Sequence, residues 1–410
     1  MDDISVLICD DSALMRNLIG RIIDGVTGLK VVGKAENGKD LLDKIPQFKP
    51  DVILLDVEMP VMTGVEFLQE RKRRGIDVPV VMLSSVTTEG AAVSVKCLEL
   101  GASDFITKPG GTSVTLTISD VSVEIVEYVA AYGGAYASAH GKQIPEPDYY
   151  VHQIKLKEAE RFVLQKKGEE AGKANLFTQT DLQKSKEKSG IPLNTPLWTS
   201  PKKKEIAVIT PERESGKIDL IAIGISTGGP NALREVFSKI DGKIKQPILV
   251  VQHMPAGFTA EFASSLNNLC PLTVTEAKDG EKIENSHVYI APGGYHMIVE
   301  EKGFDKYIKL TQEQPRNGHR PSVDELFESV AKIYKNHSLG VIMTGMGKDG
   351  AAQLAQMRKE GAWTLGQDQA SSVVYGMPKV GFEMGGVQKQ VALKDMAAEI
   401  SQLALEHSLR

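Results

Sequence analysis

Short apolar runs alternate with stretches of helical spacing along the first hundred residues. The runs Ile4–Cys9, Leu29–Gly33, Val52–Leu55, Val78–Leu83 and Asp104–Thr107 predict strands. Between the first two, Leu14, Met15, Leu18, Ile19, Ile22, Ile23 and Val26 recur every three or four residues, which predicts a helix with one buried face. A last helix is expected within Asp120–Ala131. Strands that alternate with helices pair in parallel through right-handed crossovers. Sites in such sheets lie beyond the carboxyl ends of the strands.

The pattern lapses over residues 153–217. Lysine and glutamate dominate there, with Pro192, Pro196, Pro201 and Pro211 interspersed. Gln183–Lys188 and Lys202–Lys204 carry no apolar period. Such composition buries too little surface to repay chain entropy, so it reads as a solvated tether. The alanines, glycines and tyrosines of Val129–Tyr150 fit a frayed helix or a loop equally well.

Alternation resumes at Ile218. Ile218–Ile225, Ile248–Gln252, Val288–Ile290, Leu339–Met343 and Trp363–Leu365 predict strands. Asn231–Ile240, Thr259–Leu269, Val323–Tyr334, Ala351–Lys359 and Met396–Glu406 predict helices. Ser322 and Glu325 have capping-box spacing. His296–Thr311 reads as a hairpin turning near Gly303. The chain is therefore expected to be α/β throughout, with a front domain over 1–131, a flexible charged linker over 132–217 and a second parallel-sheet domain over 218–410.

Composition narrows the function. The chain is 41% hydrophobic and 25% charged, ordinary for a globular protein. A net charge of −5 gives no reason to expect nucleic acid as a partner, and no basic recognition-helix pattern follows the front domain. No apolar run is long enough for a membrane span, and Met1-Asp2-Asp3 is no secretory signal; a cytoplasmic location without membrane insertion is expected. Cys9, Cys97 and Cys270 are isolated, as reduced thiols in or near a core would be.

Each predicted strand of the front domain but the second ends in a polar residue: Asp10-Asp11, Asp56, Ser84 and Lys108-Pro109. Carboxylates that converge on one sheet edge repel one another unless a cation joins them, and hard oxygen donors suit Mg²⁺. A carboxylate beside such a cation can attack phosphorus, with Ser84 and Lys108 placed to contact the phosphoryl oxygens. The phrases Cys-Asp10-Asp11-Ser-Ala-Leu-Met-Arg, Leu-Leu-Asp56-Val-Glu-Met-Pro60, Met-Leu-Ser84-Ser and Asp104-Phe105-Ile-Thr-Lys108-Pro109 resemble a response-regulator receiver domain, of flavodoxin-like fold. The resemblance implies Asp56 as phosphoacceptor and Asp10, Asp11, Asp56 and the Glu58 backbone carbonyl as Mg²⁺ ligands. It also implies Ser84, Phe105 and Lys108 as residues that respond to phosphorylation.

In the rear domain the apolar run Ile218–Ile225 ends in Ser226-Thr-Gly-Gly-Pro, so a serine sits on a strand-to-helix turn among small neighbours. His253 follows Ile248–Gln252, and Asp349 lies in the glycine-rich phrase Thr344–Gly350. A serine hydroxyl needs a base, and the base needs an orienting carboxylate. The order Ser, His, Asp differs from that of α/β-hydrolases. His296 is the main rival base; His287 and His319 have less local support. Zinc-type spacings are absent.

The phrases Ala-Ile-Gly-Ile-Ser226-Thr-Gly-Gly-Pro, Val-Gln-His253-Met-Pro, Tyr-Ile-Ala-Pro-Gly-Gly-Tyr-His296, Arg320-Pro-Ser-Val-Asp324, Met-Thr-Gly-Met346-Gly-Lys-Asp349-Gly and Tyr-Gly-Met-Pro378 are similar to the catalytic domain of chemotaxis protein-glutamate methylesterases. The resemblance implies a serine esterase with Ser226 as nucleophile, His253 as base, Asp349 as orienter and the Met346 backbone as oxyanion donor, needing no cofactor for the ester reaction. It implies hydrolysis of glutamate γ-methyl esters on the cytoplasmic helices of chemoreceptors, with release of methanol, and deamidation of receptor glutamines. A chemotaxis histidine kinase would be the phosphodonor, and phosphorylation would relieve cover of the serine by the receiver. The tether is long and lysine-rich for that family. The alternative is a non-catalytic response regulator whose rear domain binds a partner or an acyl ligand.

Overall fold

The computed structural model describes residues 1–85, 87–108, 118–157 and 206–408. The front sheet has five parallel strands, β1 (Ile4–Cys9), β2 (Leu29–Ala35), β3 (Val52–Asp56), β4 (Val80–Ser84) and β5 (Asp104–Thr107), in the order β2-β1-β3-β4-β5. That is the flavodoxin-like order, and the crossovers are α1 (Ala13–Asp24), α2 (Gly38–Phe48), α3 (Gly64–Arg74) and α4 (Thr88–Glu99). The α1 stripe behaves as its spacing predicts: Ile19, Ile22 and Ile23 are buried. Thr63 and Glu66 form a full capping box at the start of α3.

Helix α5 (Ile118–Tyr128) runs into a π-helical turn, Val129–Gly133, and a further short helix, Gly134–Ala139. Another helix covers 147–157. These segments differ from the expected linker. Tyr132, Tyr150, Val151 and Ile154 are buried, and Val129–Tyr132, Tyr150, Val151 and Ile154 belong to the apolar cluster formed with Ile4, Ile23 and Val26. Gln153 bonds both Thr27 backbone groups, and Lys142 pairs with Asp51 at 2.6 Å. Alanine and tyrosine conceal the pattern because a small side chain, or a large ring with a polar hydroxyl, can be core while adding little to local hydropathy.

The rear sheet has seven parallel strands, β6 (Leu220–Ile225), β7 (Ile248–Gln252), β8 (Thr273–Glu276), β9 (His287–Ile290), β12 (Ser338–Ile342), β13 (Trp363–Gln367) and β14 (Lys389–Val391), ordered β14-β13-β12-β6-β7-β9-β8. β10 (His296–Lys302) and β11 (Asp305–Thr311) form the expected hairpin, with Gly303 at φ 64° in its turn. β8, β14 and the helix Met377–Glu383 had no sequence expectation; all are short, and β8 and β14 lie at the sheet edges. Residues 206–217 also depart from a free linker. Ala207 N–H donates to Glu383 O, Glu212 N–H to Lys359 O and Gly216 N–H to Asn336 O, so this stretch lies along the rear domain. The linker phrases Gln183–Lys188 and Lys202–Lys204 lie outside the described residues. All three cysteines are free thiols. Among the described residues no helix is long and apolar enough to cross a membrane.

Candidate active site beneath the receiver

β6, β7 and β12 are adjacent in the rear sheet, so the residues just past their carboxyl ends meet. Ser226 follows β6 on a turn whose next element, the helix Gly229–Lys239, begins after Gly228 at φ 80°. That left-handed conformation is glycine's, and it turns the chain sharply enough to present the hydroxyl at the sheet edge. Gly345 passes so close that a Cβ there would sit 2.7 Å from the Ser226 Cβ. The small residues around the serine thus leave room for the side chains packed against the turn: Met377 at Gly345, Val373 at Gly228 and Gln252 at Gly229.

His253 Nδ1 lies 3.0 Å from Ser226 Oγ, and His253 Nε2 lies 2.9 Å from Asp349 Oδ2. A hydroxyl that donates to Nδ1 requires Nε2–H to donate to the carboxylate, so the two contacts fix one tautomer. Asp349 is buried and heavily bonded. It accepts from Ser322 Oγ (2.7 Å), Asn317 Nδ2 (2.8 Å) and the N–H groups of Val323 (2.7 Å) and Asp324 (3.2 Å). Burial alone would raise its pKa, but the bond and charge of His253, with Asn317 and Ser322, hold its carboxyl well below the usual range. The carboxylate also sits on the N-terminus of the helix Val323–Ile333, where free N–H groups favour an anion. Asp349 therefore caps this helix rather than the one that follows it. The expected capping box at Ser322 does not form, because the Ser322 hydroxyl is engaged by Asp349.

The rival base His296 bonds groups other than the serine. His296 is fully buried, accepts from Ser322 N–H at Nδ1 (3.2 Å) and reaches Gln314 O through Nε2 (3.2 Å). His287 bonds Thr275 Oγ1 at 2.8 Å, away from the serine. His319 is nearer than its sequence suggests: its ring stacks on His253 with centroids 3.8 Å apart and planes 10° apart. Met346 lies in the loop after β12, in the apolar cluster that includes Val374 and the receiver residues Val129 and Tyr132.

At the front-sheet edge, Asp10, Asp11 and Asp56 can place carboxylate oxygens within 4.8 Å of one another. Lys108 Nζ lies 2.9 Å from Asp10 and 2.7 Å from Asp56. Burial raises Asp56 to about 6 despite Lys108. Bonds and charges from Asp56 and Asp10 raise Lys108 despite its burial. A cleft of about 500 Å³ lies over the cluster, lined by Asp11, Asp56, Glu58 and Lys108 among others. Three converging hard oxygen donors open to such a cleft fit a small divalent cation. Ser84 Oγ faces Ser94 Oγ (2.7 Å) and Gly90 O (3.2 Å), toward α4.

The CheB methylesterase family matches residues 221–400, and the response regulator receiver domain matches residues 6–118. The protein-glutamate methylesterase/protein-glutamine glutaminase of Treponema denticola is 50% identical, over 99% of this chain and 100% of that protein, tether included. The protein of the same name from Treponema pallidum is 47% identical over 98% of this chain and 97% of its own length. The Salmonella typhimurium protein is 39% identical over 98% and 97%. The chain belongs to the protein-glutamate methylesterase/protein-glutamine glutaminase family.

In this family member the receiver lies directly on the serine turn. Thr227 Oγ1 donates to Glu127 Oε1 (2.6 Å), and Gly228 N–H donates to Asp104 Oδ2 (3.1 Å). Asn231 Nδ2 donates to Ala102 O (3.0 Å) and Ser103 O (2.9 Å). Glu99 at the end of α4 accepts from Ser265 Oγ (2.9 Å). Phe105 stacks on Phe258, which opens the helix Phe258–Asn267. Ser226 is left 8% exposed. Asp104, Glu127, Thr227 and Asn317 were not singled out from sequence, and His319 was weighed only as a minor rival base. Only the Asn317-Gly318 pair carried a local signal, that of a tight hairpin turn.

Proposed function

We propose that the chain is a phosphorylation-controlled hydrolase that removes glutamate γ-methyl esters from chemoreceptors, releasing methanol, and deamidates receptor glutamines. The observation that carries this reading is the continuous hydrogen-bonded chain Ser226–His253–Asp349 lying under the receiver face. Ser226 Oγ attacks the ester carbonyl carbon while its proton passes to His253 Nδ1. Asp349 holds the ring and stabilises the imidazolium. The tetrahedral oxyanion is met by the Met346 backbone N–H. Collapse expels the methoxy group, which takes the proton from His253 and leaves as methanol. Water, deprotonated by the same histidine, then attacks the acyl-enzyme and releases the glutamate carboxylate. An amide substrate follows the same path with ammonia as leaving group. The non-catalytic reading has no use for this geometry.

Control resides in the receiver. Asp56 accepts the phosphoryl group from a chemotaxis histidine kinase, and Asp10, Asp11, Asp56 and the Glu58 carbonyl are the residues that would hold Mg²⁺. That cation, when bound, offsets the negative charge of the incoming phosphoryl group. Lys108 is drawn to the new phosphoryl oxygens and releases Asp10. Ser84 and Phe105 respond, and Phe105 is the one in contact with the esterase. A ligand or modification shifts a docked equilibrium only if the two receiver states differ in affinity for the docked surface. Rearranging Phe105 and its neighbour Asp104 supplies that difference. The substrate lies on receptor domains in the cytoplasm, and the net charge of −5 gives no reason to expect nucleic acid as a partner.

The test is methanol release from methylated receptor by the full chain, with and without a small phosphodonor. Wild type should respond to the phosphodonor, and Ser226→Ala should release nothing above background. Methanol release by Ser226→Ala at the wild-type rate would overturn the reading.

A further inference from the structure

The catalytic imidazole is held at its two nitrogens by Ser226 and Asp349, and both contacts lie at the ring edge. Two such bonds at opposite ends define an axis. The ring can rock about that axis without either partner moving. What prevents rocking must press on the ring face, and the group that does so is His319, parallel to within 10° at 3.8 Å.

His319 is itself rigidly carried. Asn317 at φ 54° and Gly318 at φ 85° are the central residues of a tight turn, the Asn-Gly pair favoured where both positions need positive φ. Arg316 and His319 close the turn through reciprocal backbone bonds of 3.1 and 3.0 Å. Arg316 pairs with Glu325 (3.0 Å) and Glu328 (2.6 Å) on the helix Val323–Ile333, which Asp349 caps. Asn317 Nδ2 donates to Asp324 and to Asp349 itself. The four-residue segment Arg316–His319 thus touches both the base and its orienter. Burial, with His253 next to it, pushes His319 down to about 3, so its ring stays neutral and places no second charge against the imidazolium.

Resting on the esterase reading above, we propose that His319 is a positioning residue for His253. Its ring face holds the base in the plane shared by Ser226 and Asp349 and faces the imidazolium as it forms. Its nitrogens take no part in proton transfer. A neutral aromatic face toward a forming cation is favourable, and an in-plane base transfers protons more often. Substrate binding does not involve the buried face, so the effect falls on kcat and not on KM.

The experiment compares phosphodonor-activated full chains carrying His319→Ala, His319→Phe and His319→Leu. Methanol release gives kcat and KM, and proton NMR follows the low-field signal of His253 Nε2–H bonded to Asp349. The Ala variant should lose about tenfold or more in kcat at unchanged KM, with its low-field signal broadened. The Phe variant should stay within about threefold of wild type and keep the signal. If the Ala variant does not fold, the Phe and Leu pair decides, because Leu fills the space without a planar face. Wild-type kcat in His319→Ala, equal loss in Phe and Ala, or equal activity in Phe and Leu would each overturn the proposal. Absence of methanol release from wild type would defeat the esterase reading instead, and the NMR comparison would still decide the role of His319.

Discussion

Phe105 of the receiver lies face to face with Phe258 of the esterase domain, ring centroids 4.7 Å apart and planes 16° apart. Phe105 is 4% exposed and Phe258 1%, so the pair is sealed between the domains. An aromatic pair contributes roughly 0.5–1.5 kcal/mol beyond its area. Phe258→Leu, which keeps most of the volume, should therefore undock the receiver by about two- to tenfold. Unphosphorylated activity should rise by that factor while the phosphodonor-activated rate holds. Unchanged basal turnover would remove this pair from the inhibitory contact.

Asp104 offers a pH test. Burial raises it from 3.8 to about 6, opposed by bonds from Tyr132 and the Gly228 and Phe105 amides and aided by nearby Glu127. Burial likewise raises Glu127, which faces Thr227. Both carboxyls bind a proton more tightly when covered, so acid favours the docked form. The part of that burial supplied by the esterase surface makes docking weaken as pH rises toward about 6. The ratio of full-chain to receiver-free activity should climb from about pH 5 to about pH 7, and Asp104→Asn should flatten the climb. Parallel profiles for full chain and fragment would exclude these carboxyls as the cause.

The triad predicts a graded loss. Ser226→Ala and His253→Ala should each reduce kcat by about 10⁴-fold or more. Asp349→Asn should retain more, since it changes the orientation and charge around His253 without removing a reacting atom. His296→Ala should leave kcat near wild type in whatever fraction folds, because His296 bonds Ser322 and Gln314 instead of the serine. A dead His296→Ala beside an active His253→Ala would reverse the assignment.

Asp56→Asn should abolish phosphate incorporation from a small donor and leave basal turnover intact. Radiolabel that persists in this variant would place the acceptor elsewhere.

The boundary of the esterase fragment is also testable. Residues 206–217 bond the rear domain through Ala207, Glu212 and Gly216, and Arg213 pairs with Glu360. A fragment beginning at Ile206 should melt higher than one beginning at Ser215, and both should exceed the unphosphorylated full chain in turnover. Identical melting would mean the strap adds nothing to stability.

Both sheets, the candidate serine, the candidate histidines and the acid cluster were legible in the chain. Buried parallel strands must be apolar runs, and sites fall where those runs stop, so Asp56 and Ser226 mark their own places. Ser226 and the glycines after it carried the turn as well, because few residue types tolerate that backbone. Three matters were decided only by the tertiary structure. Which histidine meets Ser226 depends on β7 pairing with β6, while His296 opens a hairpin outside the main sheet. The partners of Asp349 come from the helix Val323–Ile333 and the Asn317 turn, which no local spacing ties to it. The cover over Ser226 is formed by Asp104, Phe105 and Glu127, whose local sequence serves the receiver's own sheet and helix equally well. Hydropathy and backbone preference act over a few residues and fix strands, turns and their ends. Hydrogen bonds between distant segments leave no period in the chain, and only the folded arrangement assigns them.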